Sequence, residues 1–202
     1  MAQNSKSTAT KPPMTRESLL PKLAAHVLEH GLGGASLRPL AKAAGTSDRM
    51  LIYHFGNKEA LIAEVLSHIA DIYSAALDAG MGEERPATRQ QCVARILTLG
   101  RQPMMQPFMV LWWEIVAGAA RGFPGHKEAA EEMMGRLLTW LETQMPKGDP
   151  DPKGGARYLL TLIEGSLMLS AVGHARTARE GLLASDLAAD VSSDLAGNPA
   201  GD

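Results

Sequence analysis

The sequence predicts an all-α protein, because apolar residues recur at helical spacing, glycine and proline clusters separate these stretches, and strand patterns are almost absent. From Ser18 to His30, for example, Leu20, Leu23, Ala24 and Val27 stand at i, i+3, i+4 and i+7. That spacing places them on one face of a helix. We therefore expect helices throughout, separated by short turns.

The start of the first helix has two readings, because Pro21 falls near it. In one, Thr15 caps the helix and Pro21 kinks it. In the other, Ser18 is the cap and Pro21 lies in the first turn, where its missing N–H costs little.

Capping residues and breaks place the remaining helices. Ser36 is expected to cap a helix from Leu37 to Ala44, and Asn57 a longer one that runs to about Ala79. Breaks such as "RGFPGH" and "PKGDPDPKGG" delimit the later elements. These are helices near 86–101, 104–121, 126–145 and 154–175, and a last, weak helix near 179–193.

Composition favours a soluble protein of the cytoplasm. The chain has 202 residues, 45% of them hydrophobic, which is enough to form a real core. The single cysteine, Cys92, excludes an intramolecular disulfide and every multi-cysteine metal site. Residues 1–14 are polar and lack the apolar stretch of a secretory signal, so we expect a disordered tail there and another at 194–202. The most apolar run, 108–120, is shorter than the ~20 residues that span a bilayer, so no membrane partner is expected.

Charge is distributed unevenly along the chain. Residues 1–60 hold eight Lys or Arg against four Asp or Glu, a balance of +4, and the remainder holds 12 against 18, a balance of −6. A basic segment of this size suits a polyanionic partner, although solvated surface charge alone can produce the same imbalance.

The stretch from Leu37 to Phe55 has the pattern of two short helices joined by a tight turn. Leu40, Ala44 and Leu51 are expected to pack between the helices, and the small Ala41 to allow a close crossing. Gly45 supplies the positive φ that such a turn needs, and Ser47 caps the second helix. The exposed face of that helix then carries Asp48, Arg49, Ile52 and Tyr53. The pattern predicts a helix-turn-helix, or else two core helices with a short connection.

The residues that close this motif resemble those of the TetR family of transcriptional regulators. The stretch "AGTSDRMLIYHFGNKEAL", residues 44–61, is similar to that family's run of Ala-Gly, a capping Ser, Leu, an aromatic residue, His-Phe, and Asn-Lys with a following Leu. The resemblance covers about residues 15–66. It implies a three-helix DNA-binding domain at 15–60, with the motif at about 37–56, a long connecting helix, and a helical ligand-binding and dimerisation domain at 61–193.

The resemblance also implies two sets of contacts with double-stranded DNA. Phosphate contacts fix the position of the protein on the duplex, and contacts with base edges read the sequence. The positions that reach base edges are Arg38, Asp48, Arg49, Met50 and Tyr53. The positions near phosphates are Ser36, Thr46, Ser47, His54 and Lys58.

Four of these positions carry specific expectations. Arg49 is the best candidate for base recognition, because a guanidinium can bond guanine O6 and N7 together, and Met50 suits a thymine methyl group. His54 either contacts a phosphate or bonds a carbonyl at the helix end. Asp48 either accepts from cytosine N4, is repelled by phosphate, or assists the helix N-terminus. Ile52 departs from the tyrosine that the family often has there, so one polar DNA contact is expected to be replaced by an apolar one.

Methionine and tryptophan concentrate in the C-terminal part, where they predict a pocket for an apolar or aromatic effector. Both side chains offer adaptable apolar surface, although such stripes also form plain core. The predicted lining residues are Met104, Met105, Phe108, Met109, Trp112, Trp113, Leu137, Trp140 and Met168. Glu114, the one charge in this apolar stretch, binds a ligand, pairs with Arg121 or points to solvent, and we favour the last two.

Helix 154–175 is apolar on nearly every side, so it must be covered on two sides. One side can face its own domain, and the other a second copy of the chain together with helix 126–145, as a four-helix homodimer interface. The resemblance implies the same. The predicted interface residues are Leu141, Leu159, Ile163, Ser166, Leu167 and Ser170.

These observations rank a DNA-binding regulator first. As a homodimer it would bind a palindromic operator, act as a repressor and be released by the small-molecule effector. A helical ligand carrier or interaction protein without sequence-specific DNA binding is the alternative. The motifs of common enzyme classes are absent, and Glu64 and His68, at i and i+4, favour a salt bridge over a metal site. No enzymatic activity, cofactor or metal is therefore expected.

Overall fold

The computed structural model describes residues 14–184, which contain nine α-helices, two short 3-10 helices and no strand. The all-α prediction is confirmed. The predicted tails, apart from Met14, and the part of the last predicted helix beyond residue 184 lie outside the described residues. The helices are α1 (Arg16–His30), α2 (Leu37–Ala44), α3 (Asp48–Phe55), α4 (Lys58–Met81), α5 (Arg89–Gly100), α6 (Gln106–Ala120), α7 (His126–Gln144), α8 (Pro152–Ala171) and α9 (Ala175–Leu183).

Thr15 decides where α1 begins. Its hydroxyl accepts a hydrogen bond from the Ser18 amide, and the Ser18 hydroxyl lies 3.0 Å from the Thr15 amide, so the two residues form a reciprocal capping box. Pro21 therefore lies inside the helix, as in the first of the two readings. The buried face is Leu19, Leu23, Ala24 and Val27, and it includes Leu19 in place of the predicted Leu20.

The chain divides into two units. The first comprises Met1–Ile72 and Pro107–Glu131, and the second comprises Tyr73–Gln106 and Glu132–Asp202. In this division Lys58–Ile72 of α4 and most of α6 group with the three N-terminal helices, and the expected domain boundary at residue 60 stays a prediction.

The first unit holds the three short N-terminal helices. α1 packs against α2, and α2 packs against α3. Leu40, Ala41, Ala44 and Leu51 are all buried, as the helix-turn-helix pattern predicts. Phe55, the last residue of α3, is buried as well.

The second unit has a core built from α5, α8 and the adjoining ends of α4 and α7. Leu77, Ile96, Leu141 and Leu159 belong to this core and are at most 5% exposed. Cys92 is completely buried in the same core, and burial raises the pKa of its thiol to about 11.

Hydropathy alone does not separate α4 from a membrane helix. It is the one helix among the described residues that is long and apolar enough to cross a bilayer, and core helices pass the same test. Its residues Leu61, Val65, Ile69 and Leu77 are buried within the protein.

An ion pair joins the start of α5 to the turn before α8. Arg89 donates to both carboxylate oxygens of Asp149, over 2.7 and 2.6 Å, and also to the Asp151 carbonyl. The Asp149 side chain is 2% exposed. The hydrogen bonds from Arg89 hold the pKa of this carboxyl below its usual value, so the ionised form stabilises the fold.

We expect Asp149→Asn to lower the free energy of unfolding by about 1.5–3 kcal/mol at pH 7, the usual contribution of a hydrogen bond to a charged group. Because the folded-state pKa is lowered, this contribution is complete above about pH 5 and is lost progressively as the pH falls from there through the folded-state pKa. Urea unfolding at pH 7, 5 and 3 measures both effects. The control is Glu132→Gln, which removes an exposed i,i+4 pair with Arg136 and should change stability by less than about 0.5 kcal/mol. Equal losses for the two variants would contradict the prediction.

Candidate nucleic-acid interface

The turn between α2 and α3 depends on Gly45. Its φ of 71° and ψ of 36° lie in the left-handed region, where residues with a Cβ are strained. The Gly45 amide donates to the Lys42 carbonyl, and the Thr46 amide to the Ala41 carbonyl. These two bonds form a Schellman motif, which satisfies carbonyls at the end of α2 and turns the chain sharply. The predicted turn is confirmed.

Ser47 begins α3 directly after that turn. Its hydroxyl accepts from the Met50 amide over 3.3 Å, as the sequence predicts for an N-cap. At the other end, Gly56 has a φ of 88° and its amide donates to the Ile52 carbonyl. Both ends of this eight-residue helix are therefore fixed by their own hydrogen bonds.

The five predicted base-contact residues are mostly exposed. Arg38, Asp48 and Arg49 are exposed, and Tyr53 is 78% exposed, the second highest value among the large exposed hydrophobic side chains. Met50 is half-buried. An exposed aromatic ring and two guanidinium groups thus accompany a helix whose other face is buried through Leu51 and Phe55.

The predicted phosphate-contact residues fall into two groups. Ser36, Ser47 and Lys58 are exposed. The Thr46 hydroxyl and His54 Nε2 are instead buried, and neither has a hydrogen-bond partner within residues 14–184. Both atoms are withdrawn from solvent here, and the phosphate contacts expected of Thr46 and His54 stay predictions.

Of the two N-caps predicted at Ser36 and Asn57, only Asn57 forms a capping hydrogen bond through its side chain. Ser36 occupies the N-cap position of α2, but its side chain makes no capping bond, contrary to the prediction. The Asn57 side chain accepts from the Ala60 amide over 2.7 Å and so caps α4 as expected. The exposed Ser36 hydroxyl is consequently not used by its own helix.

Contacts from α1 hold the motif in place. Arg16 forms an ion pair with Glu64 of α4, and its guanidinium lies 5.3 Å from the centre of the Phe55 ring. Lys22 donates to the carbonyl of Ala44 at the end of α2. The pairing of Glu64 with Arg16 agrees with the expected salt-bridge role of this carboxylate, although the partner is not His68.

The N-terminal helices match a known family. Residues 23–65 fit the model of the bacterial regulatory proteins of the TetR family. This N-terminal segment is therefore a TetR-type helix-turn-helix domain. The matched segment runs from the middle of α1 through the helix-turn-helix into α4. No curated protein matches the chain.

Solved structures extend the likeness to both units. A protein from Rhodococcus sp. that is described as a TetR-family transcriptional regulator is 22% identical to this chain. The alignment covers 87% of this chain and 96% of that protein, with a TM-score of 0.63. An assigned transcriptional regulator from Streptomyces coelicolor A3(2), SCO7518, is 28% identical over 83% and 96%, with a TM-score of 0.64. EbrR, a multidrug binding protein solved with proflavin, is 18% identical over 83% and 97%, with a TM-score of 0.62. The TetR fold is therefore shared well beyond the matched segment.

Glu114 makes a contact that the sequence analysis did not predict. Its carboxylate accepts from the Leu32 amide over 2.7 Å, so it neither pairs with Arg121 nor simply points to solvent. Arg121 lies over the Phe123 ring instead. Gly31, with a φ of 70°, permits this bond, since a Cβ there would lie 2.3 Å from a carboxylate oxygen. The turn after α1 is thereby joined to α6 within the first unit.

The predicted effector-pocket residues are divided between the units. Phe108, Met109, Trp112 and Trp113 belong to the first unit and the other five to the second. Met105, Met109 and Trp112 are buried, whereas Met104 and Met168 are 65% and 51% exposed. Trp140 is half-buried and its indole N–H donates to Asp78 over 2.6 Å, and Leu137 packs against the core of the second unit.

The predicted dimer residues are only partly available to a second copy. Leu141, Leu159 and Ile163 are at most 2% exposed and belong to the second unit's own core, and Ser166 is 6% exposed. α7 and α8 bury these side chains in their own unit, and their place in a homodimer interface stays a prediction. Leu167 and Ser170 are half-buried, and the Ser170 hydroxyl donates to the Ser166 carbonyl.

We expect Gly45→Ala to destabilise the protein by about 1–2 kcal/mol, because alanine is strained in the left-handed conformation. Gly33→Ala is the matched control, since Gly33 is exposed and nothing lies within 4 Å of its would-be Cβ. It should change stability by less than about 0.5 kcal/mol. Urea unfolding compares the two, and equal stability of the variants would show that the turn tolerates a Cβ.

Proposed function

We propose that this chain is a ligand-responsive repressor that binds a palindromic operator as a homodimer. The observation that carries the proposal is the exposed face of α3, whose Asp48, Arg49 and Tyr53 project from a helix held rigidly at both ends. A helix presented in this way fits the major groove of B-form DNA. Such a role places the protein in the cytoplasm, without catalysis, cofactor or metal.

Base recognition would come from a small set of side chains. Arg49 can donate to guanine O6 and N7 together, and Asp48, one residue before it, can accept from cytosine N4. Asp48 is repelled by phosphates, so it favours operators that offer this donor. Arg38, exposed at the start of α2, adds a second guanidinium beside the motif.

Nonspecific attraction supports the same proposal. The +4 balance of residues 1–60 opposes the −6 balance of the remainder, so DNA should be drawn to the N-terminal helices. Ser36, Ser47 and Lys58 are exposed and suited to phosphate oxygens. Binding of this kind weakens as salt rises, because the counterions that the protein displaces from DNA gain less entropy when the bulk salt concentration is high.

The exposed stripe of α8 supports a homodimer. Thr161, Met168 and Val172 are exposed and follow one another at spacings close to two helical turns and one turn, with the small Gly165 between them. The opposite face, through Leu159 and Ile163, is buried. Because the stripe is partly apolar and contains the small Gly165, a second copy of the chain can pack closely on it. Two recognition helices would then face half-sites about one DNA turn, ~34 Å, apart.

Effector control is proposed for the helical region after α3. EbrR, which shares this fold, binds proflavin. In this chain a ligand that favours one separation of the two recognition helices would shift the population away from the DNA-binding state. The methionine and tryptophan residues named above, other than Met168 of the α8 stripe, remain proposed contacts for a small apolar or aromatic effector.

Fluorescence anisotropy on the DNA upstream of the gene tests the proposal, with a scrambled duplex as the comparison at physiological salt. Specific binding should exceed nonspecific binding by about a thousandfold or more. Equal, weak binding to both duplexes would favour the carrier alternative, in which the carboxylate of Asp48 opposes DNA binding.

We expect Arg49→Ala to weaken operator binding by about 1–3 kcal/mol and to relax the preference at one base pair. Lys58→Ala should weaken binding to all sequences similarly and reduce the salt slope by about one. Lys127→Ala, an exposed cation of α7 paired with Glu131, is the control and should change neither quantity. Anisotropy titrations at several salt concentrations separate the two effects. The assignment of roles fails if Lys58→Ala changes sequence preference and Arg49→Ala does not.

We expect Met168→Asp to convert the dimer into monomers, because a carboxylate would be desolvated in the α8 interface. Sedimentation velocity measures the change. Thr98→Asp, an exposed position on α5, is the control and should leave the dimer intact. A Met168→Asp protein that sediments as the wild-type dimer would place the interface elsewhere.

A further inference from the structure

We propose that a cavity between α5, α8 and α9 binds an amphipathic carboxylate, a ligand with an apolar body and one anionic head. The site lies within the second unit and contains none of the nine predicted effector-pocket residues. Its existence is independent of DNA binding, and its regulatory consequence rests on the function proposed above.

The cavity has the size and lining of a small-molecule site. Its volume is about 830 Å³, within the range of ~300–1,000 Å³ usual for ligand pockets. Val93 of α5, Leu159 and Leu162 of α8, and Leu182 of α9 supply the apolar floor. An alkyl chain or an aromatic ring would remove this surface from water, which favours binding by ~25 cal/mol per Å².

Each helix contributes one face to the cavity. On α9, Arg179, Leu182 and Leu183 stand at i, i+3 and i+4, so a basic group and two apolar groups lie side by side. The head and the body of an amphipathic ligand would therefore meet the same helix. This arrangement places the anionic head of the ligand at Arg179 and its apolar body against Leu182 and Leu183.

The charged groups at the rim of the cavity determine which charge the ligand's head group should carry. Arg89 is engaged with Asp149 and the Asp151 carbonyl, and the Asp151 carboxylate accepts from the Gly154 amide at the start of α8. Arg179 is exposed and forms no ion pair in the part of the chain that the structure covers. It is thus the cation that remains for a ligand carboxylate, which a guanidinium binds through two parallel hydrogen bonds.

Three probes with twelve-carbon chains test the site by isothermal titration calorimetry on the purified full chain, each below its micelle concentration or solubility limit. They are dodecanoate, dodecanol and dodecyltrimethylammonium, which differ only in the head group. Dodecanoate should bind best, by about tenfold or more over dodecanol, since a hydrogen bond to a charged group is gained. Equal affinity for dodecanoate and dodecanol, or no binding of dodecanoate, would overturn the proposal.

Matched variants locate the binding. Arg179→Gln should reduce dodecanoate affinity about tenfold and leave dodecanol unchanged, whereas Arg176→Gln, whose arginine is paired with Glu180, should change neither. Ala94→Phe should block both probes by filling the cavity from the exposed side of α5, and Thr98→Phe, one turn further along, should not. Thermal unfolding checks that each variant is folded. Unchanged binding by both Arg179→Gln and Ala94→Phe would assign the ligand to another site.

Anisotropy on labelled operator DNA separates this proposal from the function proposed above. Binding of dodecanoate without sequence-specific DNA binding would retain the site and reject the regulator. Specific DNA binding without dodecanoate binding would retain the regulator and reject the carboxylate site. Dodecanoate that binds and releases the operator, with Arg179→Gln requiring about tenfold more for release, would support both.

Discussion

The structure of the helix-turn-helix depends on hydrogen bonds to the free backbone groups where α2 ends and α3 begins. α2 ends and α3 begins within three residues, so the free carbonyls of one helix and the free amides of the other must be satisfied in a very short space. Gly45 adopts the left-handed conformation that directs two amides back onto α2, and Ser47 then caps α3. With these groups satisfied locally, α3 can leave Arg49 and Tyr53 exposed while Leu51 and Phe55 remain buried.

In the second unit, α8 has one buried face and one exposed face. α8 buries Ala156, Leu159 and Ile163 against the core and leaves Met168 and the neighbouring Val172 exposed. The ion pair of Arg89 with Asp149 fixes the turn before α8 to the start of α5. The same arginine borders the cavity between α5, α8 and α9, so the pair that stabilises this end of the unit also shapes a potential binding site.

Long-range polar contacts are where the sequence was least informative. Glu114 looked like a surface charge within an apolar helix, yet its partner is the amide of Leu32, 82 positions away. Arg89 and Asp149 are 60 positions apart. No local pattern specifies such partners, because a carboxylate accepts equally well from any donor that the fold brings near it. Gly31 leaves room for this contact, but its positive φ and the approach of Glu114 are evident only from the structure.

The sequence by itself determined the all-α class, the helix-turn-helix with its Gly45 turn and Ser47 cap, and the family resemblance of residues 44–61. These features arise from interactions between residues a few positions apart, so their spacing along the chain records them. Only the tertiary structure decided which face of α8 is buried, that Thr46 and His54 turn polar atoms inward, and that a cavity lies between α5, α8 and α9. An apolar helix that can bury more than one face has no preferred one until its neighbours are packed against it.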